Sequence, residues 1–178
     1  METLAPTERE GLPSVIRRLA GVLESDTFPT GERARLRRMR PSAAPPLTFY
    51  RFALRYLPDD WDLSLARQKD WITIVAGMAL MSPYIHSPQD PMGKVLAVQG
   101  YSEARLERFL AADEDVMRTL ALRICRFLAA KGKPFNWLDL ASLLLSRGDE
   151  QHRRVQERIA RFYYRQLEEN ASTKEKAQ

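Results

Sequence analysis

The sequence contains little of the material from which catalytic and metal centres are built. Its 178 residues include one cysteine, Cys125, and two histidines, His86 and His152, which lie far apart in the chain. A single cysteine excludes a disulfide framework and a thiolate zinc site, and two distant histidines are a poor basis for a metal centre or a histidine-based triad. P-loop, nucleophile-elbow, HExxH and paired-cysteine motifs are also missing. We therefore predict no catalytic residue, no cofactor and no metal site.

The few remaining polar candidates are expected to be structural. Asp59, Asp60 and Asp62 have no further ligand beside them and are more typical of a helix-capping turn than of a metal site. Cys125 lies in an apolar segment and is predicted to fill the core. Both histidines are predicted to be exposed to solvent.

Long apolar runs are lacking as well. No stretch approaches the roughly 20 apolar residues that cross a bilayer. The N-terminal segment carries acidic residues where a secretory signal needs basic ones. Apolar residues make up 44% of the chain and charged residues 29%, which is typical of a globular protein. We expect a soluble, cytoplasmic protein with no membrane partner.

Strand patterns are almost absent, and the apolar residues recur at helical spacing. We therefore predict an all-α protein made of two small helical domains, divided near the proline-rich loop 82–91. The first domain covers residues 1–90 and includes a basic helix. The second covers residues 91–168 and is predicted to be an antiparallel four-helix bundle, because its helices are joined by short connectors. Residues 169–178 are predicted to form a flexible polar tail.

Capping residues and prolines set the expected helix ends. Ser102, Asp113 and Asn136 are predicted N-caps, and Gly132 is predicted to end a helix in the left-handed conformation. The predicted helices cover residues 14–25, 31–39, 47–57, 65–81, 92–98, 103–112, 114–131, 137–147 and 150–168.

Positive charge is the most informative property of the chain. There are 28 basic residues against 23 acidic ones, which gives a net charge of +5 and a pI near 9.6. Arginine accounts for 22 of the 28 basic residues. Its planar group donates two parallel hydrogen bonds to phosphate, so this bias favours a nucleic-acid partner. A GC-rich genome would also raise the arginine content, but it would not explain where the arginines lie.

The first arginine cluster is the segment GERARLRRMR, residues 31–40. Arg33, Arg37 and Arg40 share one face of the predicted helix, and Arg35 and Arg38 flank that face. Like charges this close repel one another, so we expect the helix to meet phosphate or an acidic partner. The alternative is a disordered basic arm, which the apolar residues within the segment disfavour.

A second arginine cluster lies on the last predicted helix, residues 150–168. Arg154, Arg158, Arg161 and Arg165 are spaced by 4, 3 and 4 residues and therefore lie on one face. A polyanion would relieve their mutual repulsion. The alternative is a solvated helix face that neighbouring helices partly neutralise.

A third basic set lies on the long helix and beyond it. Arg123 and Arg126 are one turn apart, and they are followed by Lys131, Lys133 and Arg147. Tyrosines accompany the basic segments and offer stacking surfaces for unpaired bases, although at helical spacing they are more typical of a core. Tyr164 falls off the apolar face and is the best stacking candidate. The other tyrosines considered are Tyr50, Tyr56, Tyr101 and Tyr163.

The order of these segments resembles the CasB family, the small subunits of the type I-E CRISPR surveillance complex (Cascade). The matching pieces span about residues 31–168 and include Trp71 in a helix rich in small apolar residues. They are GERARLRRMR, FYRFALRYLP, MGKVLAVQGYSEARLERFLAA, RICRFLAAKGKPFNWLDLASLLL and VQERIARFYYRQL. The resemblance implies an all-helical, non-catalytic subunit present as a pair of copies. It further implies that a basic surface holds the displaced DNA strand and stabilises the R-loop while guide RNA pairs with the target.

Motif matching assigns nucleic-acid contacts to particular residues. The resemblance implies contacts by Arg37, Arg38, Lys94, Arg105 and Arg126. The cluster arguments add further arginines, namely Arg33, Arg40, Arg123, Arg154, Arg158, Arg161 and Arg165. The expected partners are the displaced single strand, the guide RNA–DNA hybrid, other Cascade subunits and a second copy of this chain.

Two other functions stay open. The chain could be a helical scaffold whose arginines dock acidic protein surfaces, or a helix-turn-helix regulator of transcription. Salt-sensitive DNA binding without sequence preference would distinguish a nucleic-acid-binding subunit from the scaffold. Binding to a palindromic site would favour the regulator. No pair of predicted helices has the short glycine-containing turn typical of a helix-turn-helix unit, so we rank the regulator last.

Overall fold

A computed structural model describes residues 10–146 and 148–176. Those residues form nine helices and no β-strand, which confirms the all-α prediction. The helices are α1 Leu12–Glu24, α2 Thr30–Leu36, α3 Leu47–Tyr56, α4 Leu65–Met81, α5 Met92–Val98, α6 Glu103–Leu110, α7 Glu114–Ala130, α8 Trp137–Leu145 and α9 Asp149–Lys176. Arg147, which sequence analysis counted among the basic residues, lies outside the described residues. Within the described ranges, no helix combines the length and the apolar character that crossing a membrane requires.

The starts of α7 and α8 follow from capping chemistry. The Asp113 and Asn136 side chains accept hydrogen bonds from the backbone N–H groups of Val116 and Leu138, at 3.0 and 3.1 Å. These bonds satisfy donors that the first helical turn leaves free. Gly132 has a φ of +60° just after α7, as predicted for a left-handed terminator. Ser102 is the N-cap residue of α6, as predicted, although its side chain makes no capping hydrogen bond.

Two helix ends, those of α2 and α9, lie three or more residues from their predicted positions. The basic helix α2 ends at Leu36, three residues early, because the chain tightens into i→i+3 hydrogen bonds from Arg38 to Arg35 and from Met39 to Leu36. The last helix continues to Lys176 through most of the predicted tail. Polar bonds one turn apart support this extension, including that between Gln166 and Asn170 at 3.0 Å. The flexibility of residues 169–178 stays a prediction.

Helix α4 lies at the centre of the molecule. Every residue from Asp70 to Ala79 is buried, because α4 packs against α1, α2, α7 and α8. A helix that is apolar on nearly all sides is expected to be enclosed in this way. The buried side chains of the described residues form one continuous cluster that crosses residue 90. The division at that residue and the four-helix bundle both stay predictions.

A buried ion pair joins α4 to α7. The Arg118 guanidinium donates to Asp70 at 2.7 Å, and both side chains are almost fully enclosed. The same arginine donates to Asp115 at 2.8 Å and to the Ala66 carbonyl at 3.2 Å. The hydrogen bond from Arg118 lowers the pKa of Asp115. Because several acceptors share this guanidinium, it is committed to the fold rather than to an external ligand.

The tightest helix contact is between α5 and α9. Gly93 of α5 lies so close to α9 that a Cβ atom there would be 2.0 Å from the Ile159 carbonyl oxygen. Only glycine allows two helix backbones to approach this closely. The contact fixes the position of α9 and therefore of its arginines.

Loop 82–91 is fastened to the segment between α7 and α8. The backbone N–H of Trp137 donates to His86 Nδ1 at 3.1 Å, and the backbone N–H of Ser87 donates to the Phe135 carbonyl at 3.0 Å. The prediction that His86 is exposed is therefore wrong, because its ring is half-buried as a hydrogen-bond acceptor. His152 is also half-buried, with its Nδ1 3.0 Å from the Ser146 hydroxyl. Cys125 is buried as predicted, and this burial raises the pKa of its thiol.

Candidate nucleic-acid interface

The end of α2 presents three exposed arginines. Arg37, Arg38 and Arg40 all face solvent, while Leu36 and Met39 between them are buried and anchor the segment. No carboxylate among residues 10–146 and 148–176 forms an ion pair with these three guanidinium groups. We call Arg37, Arg38 and Arg40 the α2 cluster. It is a compact positive surface on an ordered support.

Arg33 does not share that exposed face. Its Nη2 donates to the Ser25 carbonyl at 2.7 Å, and its guanidinium lies 5.7 Å from the centre of the Phe28 ring. These contacts fasten α2 to the end of α1. Sequence spacing predicted that Arg33 would lie beside Arg37. In the fold, Arg33 instead donates to backbone carbonyls of residues 25 and 28, and helical spacing alone could not identify these partners.

A second exposed basic surface lies on α6 and α7. The Arg105 guanidinium is 5.9 Å from the centre of the Tyr101 ring, and Lys131 Nζ is 5.1 Å from that of Phe127. The two rings pack edge to face with their centres 5.2 Å apart, so they bring the cations of both helices together. Arg123 and Arg126 lie one turn apart on α7 and are exposed. We call Arg105, Arg123, Arg126 and Lys131 the α6–α7 surface.

The electrostatic environment of Tyr101 confirms that these cations are close. Burial raises the pKa of its phenol, while the nearby charges of Arg105 and Arg123 oppose that rise. Both guanidinium groups therefore act on one ring although they come from different helices. Among the described residues, neither forms an ion pair with a carboxylate.

The four arginines on α9 are exposed but are not equivalent. Arg154 pairs with Glu150, and the Arg158 guanidinium forms an ion pair with the Asp139 carboxylate of α8 at an N–O distance of 2.9 Å. Arg161 and Arg165 form no ion pair with any carboxylate that the structure describes, although Arg165 lies 5.8 Å from the Phe162 ring centre. The predicted stripe therefore consists of a paired N-terminal half and an unpaired C-terminal half.

Asp139 explains why Arg158 is held. This aspartate is buried, and its other carboxylate oxygen accepts the Met92 N–H at 2.9 Å. The pair with Arg158 therefore links α5, α8 and α9. An acid at the third position of a largely apolar helix was the available signal, but the sequence does not show which arginine reaches it.

The remaining candidates are divided between surface and core. Lys94 is exposed on α5 next to Gly93. Tyr163 is buried and donates to the Tyr101 carbonyl at 2.7 Å, whereas Tyr164 is 43% exposed. The Tyr164 hydroxyl donates to Glu103 at 2.6 Å, and this bond raises the pKa of the phenol to about 12. The hydroxyl of the predicted stacking residue is thus already engaged.

The acidic turn before α4 is engaged within the chain. The Arg67 guanidinium donates to the Asp60 carboxylate at 3.0 Å and to its carbonyl at 2.9 Å. In the part of the chain that the structure describes, no three histidine, cysteine, aspartate or glutamate side chains are grouped to hold a metal ion.

A family model described as CRISPR-associated protein Cse2 matches residues 32–164. The match covers well over half of the chain and includes the α2 cluster, the α6–α7 surface and every α9 arginine except Arg165. The chain belongs to the Cse2 family. Cse2 proteins, also called CasB, are the small subunits of the type I-E Cascade, so this chain works with other subunits of that complex. A search of curated proteins found no match.

Proposed function

We propose that this Cse2 protein is a non-catalytic, nucleic-acid-binding subunit that holds the displaced DNA strand and stabilises the R-loop in antiviral defence. The observation that carries the proposal is the exposure of the α2 cluster and the α6–α7 surface without carboxylate partners among the described residues. Clustered like charges destabilise a free protein slightly, and a polyanion converts that cost into binding.

The chemistry suits a strand whose sequence changes with every target. Arginine contacts to phosphates position a nucleic acid without reading its bases. R-loop formation is nearly balanced, so a few kcal/mol of backbone contact is enough to favour the open state. If about five to eight phosphates are neutralised, log affinity falls with log salt at a slope of roughly −4 to −6.

The structure divides the twelve candidate residues by their availability. Those we propose as phosphate contacts are exposed and have no ion pair within the described residues: Arg37, Arg38, Arg40, Lys94, Arg105, Arg123, Arg126, Arg161 and Arg165. We assign Arg33 and Arg158 to positioning the helices, since their guanidinium groups bind acceptors from other segments. Arg154 is a weaker candidate because Glu150 competes for its charge. The guide RNA–DNA hybrid and a second copy of the chain stay proposed partners.

The decisive experiment measures R-loop lifetime in the assembled complex. Arg37→Gln with Arg38→Gln removes two unpaired charges, and we expect the lifetime to shorten by about tenfold. The control is Arg153→Gln, which removes an exposed charge that has a carboxylate partner on its own helix and is not a proposed contact. An unchanged lifetime in the first variant, with assembly intact, would contradict the proposal.

A specific observation also favours protein docking by a different part of the molecule. Leu47 and Leu54 of α3 are 86% and 83% exposed, and Tyr50 lies between them on the same face. Arg51 and Arg55 flank this face and are exposed. We propose that this face of α3 docks a neighbouring Cascade subunit. The matching surface of that subunit would be an apolar patch bordered by carboxylates.

The docking proposal is tested by assembly rather than by DNA binding. We expect Leu47→Gln with Leu54→Gln to leave the protein folded but to lower its incorporation into the complex. Leu63→Gln is the control, since Leu63 is 75% exposed but lies outside α3. Normal incorporation of the α3 variant would contradict docking at this face. If the protein instead bound a palindromic DNA site with sequence preference, the transcription-regulator alternative would be favoured.

A further inference from the structure

Tyr84 carries an aromatic ring that is exposed to solvent. It lies in loop 82–91, and 59% of its surface is accessible to solvent. The ring packs against Gly132, where a Cβ atom would be 3.7 Å from Tyr84 Cδ2. Its hydroxyl makes no hydrogen bond within the described residues. Most of the ring is therefore available to a ligand.

The backbone that carries Tyr84 is firmly held. Ile85, the next residue, is buried, and its N–H donates to Glu24 at 3.0 Å. Loop 82–91 is also bound to the segment before α8 through His86, Ser87 and Asp90, whose carbonyl accepts the Asn136 N–H at 2.8 Å. A ring on such a support loses little conformational freedom when it binds.

Two lysines are the chain neighbours of Gly132, the residue that this ring contacts. Lys131 and Lys133 flank Gly132, are both exposed, and have no ion pair with any carboxylate among the described residues. The charge of Arg17 also reaches the loop, where it contributes to lowering the pKa of His86 after the larger effect of burial. Glu24 is the facing acid, and its carboxylate is occupied by the Ile85 and His86 N–H groups.

We infer that Tyr84 stacks on an unpaired base of the bound strand while Lys131 and Lys133 contact the adjacent phosphates. This inference rests on the proposed function and deepens it, because it adds a base-stacking position to a surface otherwise described by phosphate contacts. Aromatic stacking tolerates any base, since every base has a π-face. It therefore suits a displaced strand of variable sequence.

The test uses the assembled complex with DNA targets whose displaced strand carries single abasic sites. With the unsubstituted protein, we expect one or two adjacent abasic positions to shorten the R-loop lifetime by about five- to tenfold. Tyr84→Ala should shorten it similarly with normal DNA and abolish the response to those abasic positions. Tyr84→Phe should behave like the unsubstituted protein, because it keeps the ring.

Tyr164→Ala is the matched control, since it removes an exposed ring whose hydroxyl is bound to Glu103. An equal loss in this control, or an unchanged abasic response in Tyr84→Ala, would overturn the inference. If Tyr84→Ala lowers incorporation into the complex and leaves the abasic response intact, the ring docks protein and the inference is wrong. If the R-loop depends on neither Tyr84 nor the α2 cluster, the proposed function fails as well. Loss of the Tyr84 effect alone leaves that function standing.

Discussion

The arginines of the α6–α7 surface and those at the start of α9 look alike in sequence but differ in the fold. Arg123 and Arg126 are exposed, and no carboxylate among the described residues pairs with them. Arg154 and Arg158 are also exposed, yet each has a carboxylate partner. The difference teaches that helical spacing identifies a basic face, while the acids supplied by other helices decide whether that face is available to a ligand.

Arg118 is the extreme case of a committed arginine and gives the largest expected effect. Arg118→Ala should lower the free energy of unfolding by about 3–5 kcal/mol, because it leaves the Asp70 carboxylate buried without this cation. Denaturant unfolding of the purified protein measures this loss. Lys69→Ala is the control, since its pair with Asp115 is more accessible and should contribute much less to stability. Equal losses would remove the distinction between buried and accessible pairs.

Arg123 and Arg126 represent the opposite case. Arg123→Gln with Arg126→Gln should weaken the hold on single-stranded DNA by about tenfold and reduce the salt slope by roughly 1.4, which is two phosphate contacts. The free energy of unfolding should change little, because neither side chain forms an ion pair with a described residue. Binding titrations at several salt concentrations check the prediction, and an unchanged slope would contradict direct phosphate contact.

Arg158 tests the comparison within the α9 stripe. Arg158→Gln should lower the free energy of unfolding by about 1–2 kcal/mol, because the buried Asp139 carboxylate loses its cationic partner. Arg161→Gln is one turn away on the same face and should leave stability unchanged. A pattern in which Arg161→Gln destabilises the protein and Arg158→Gln does not would reverse our assignment of the two residues.

The smallest expected effect concerns His86. Burial lowers the pKa of its ring, and in the folded protein Nδ1 must stay unprotonated to accept the Trp137 N–H. As pH falls through about 6.5, the unfolded chain binds a proton before the folded one does, so stability decreases. Unfolding at pH 7.5 and 5.5 should show this loss, and His86→Asn should reduce it. A stability that rises on acidification would mean that the ring is protonated in the fold.

Regular helices were predictable because their determinants are local. The bounds of α4 and α5 agree with the prediction, since prolines, polar turns and apolar spacing mark both ends. The length of α9 was underestimated, because polar composition alone suggested fraying where bonds such as Gln166 to Asn170 continue the helix. Packing of α4 against α7 depends on contacts between distant segments and could not be derived from spacing.

The site was predictable to the level of exposed faces. Exposure of Arg37, Arg38 and Arg126 follows from their positions beside buried apolar residues. The commitments of Arg33 to the Ser25 carbonyl and of Arg158 to Asp139 could not be predicted, because each partner comes from another segment. A local count of charges therefore overestimates the number of arginines free to bind a ligand.

Gly93 has a consequence for how the α9 arginines can be altered. A methyl group there would meet the Ile159 carbonyl and the Tyr163 N–H, both part of the α9 backbone, so neither could move without the helix. Replacing Gly93 by alanine would therefore shift the whole of α9 and turn its cations, including Arg161, away from their present direction. The orientation of α9, the longest helix among the described residues, thus depends on the absence of a side chain at one position of α5.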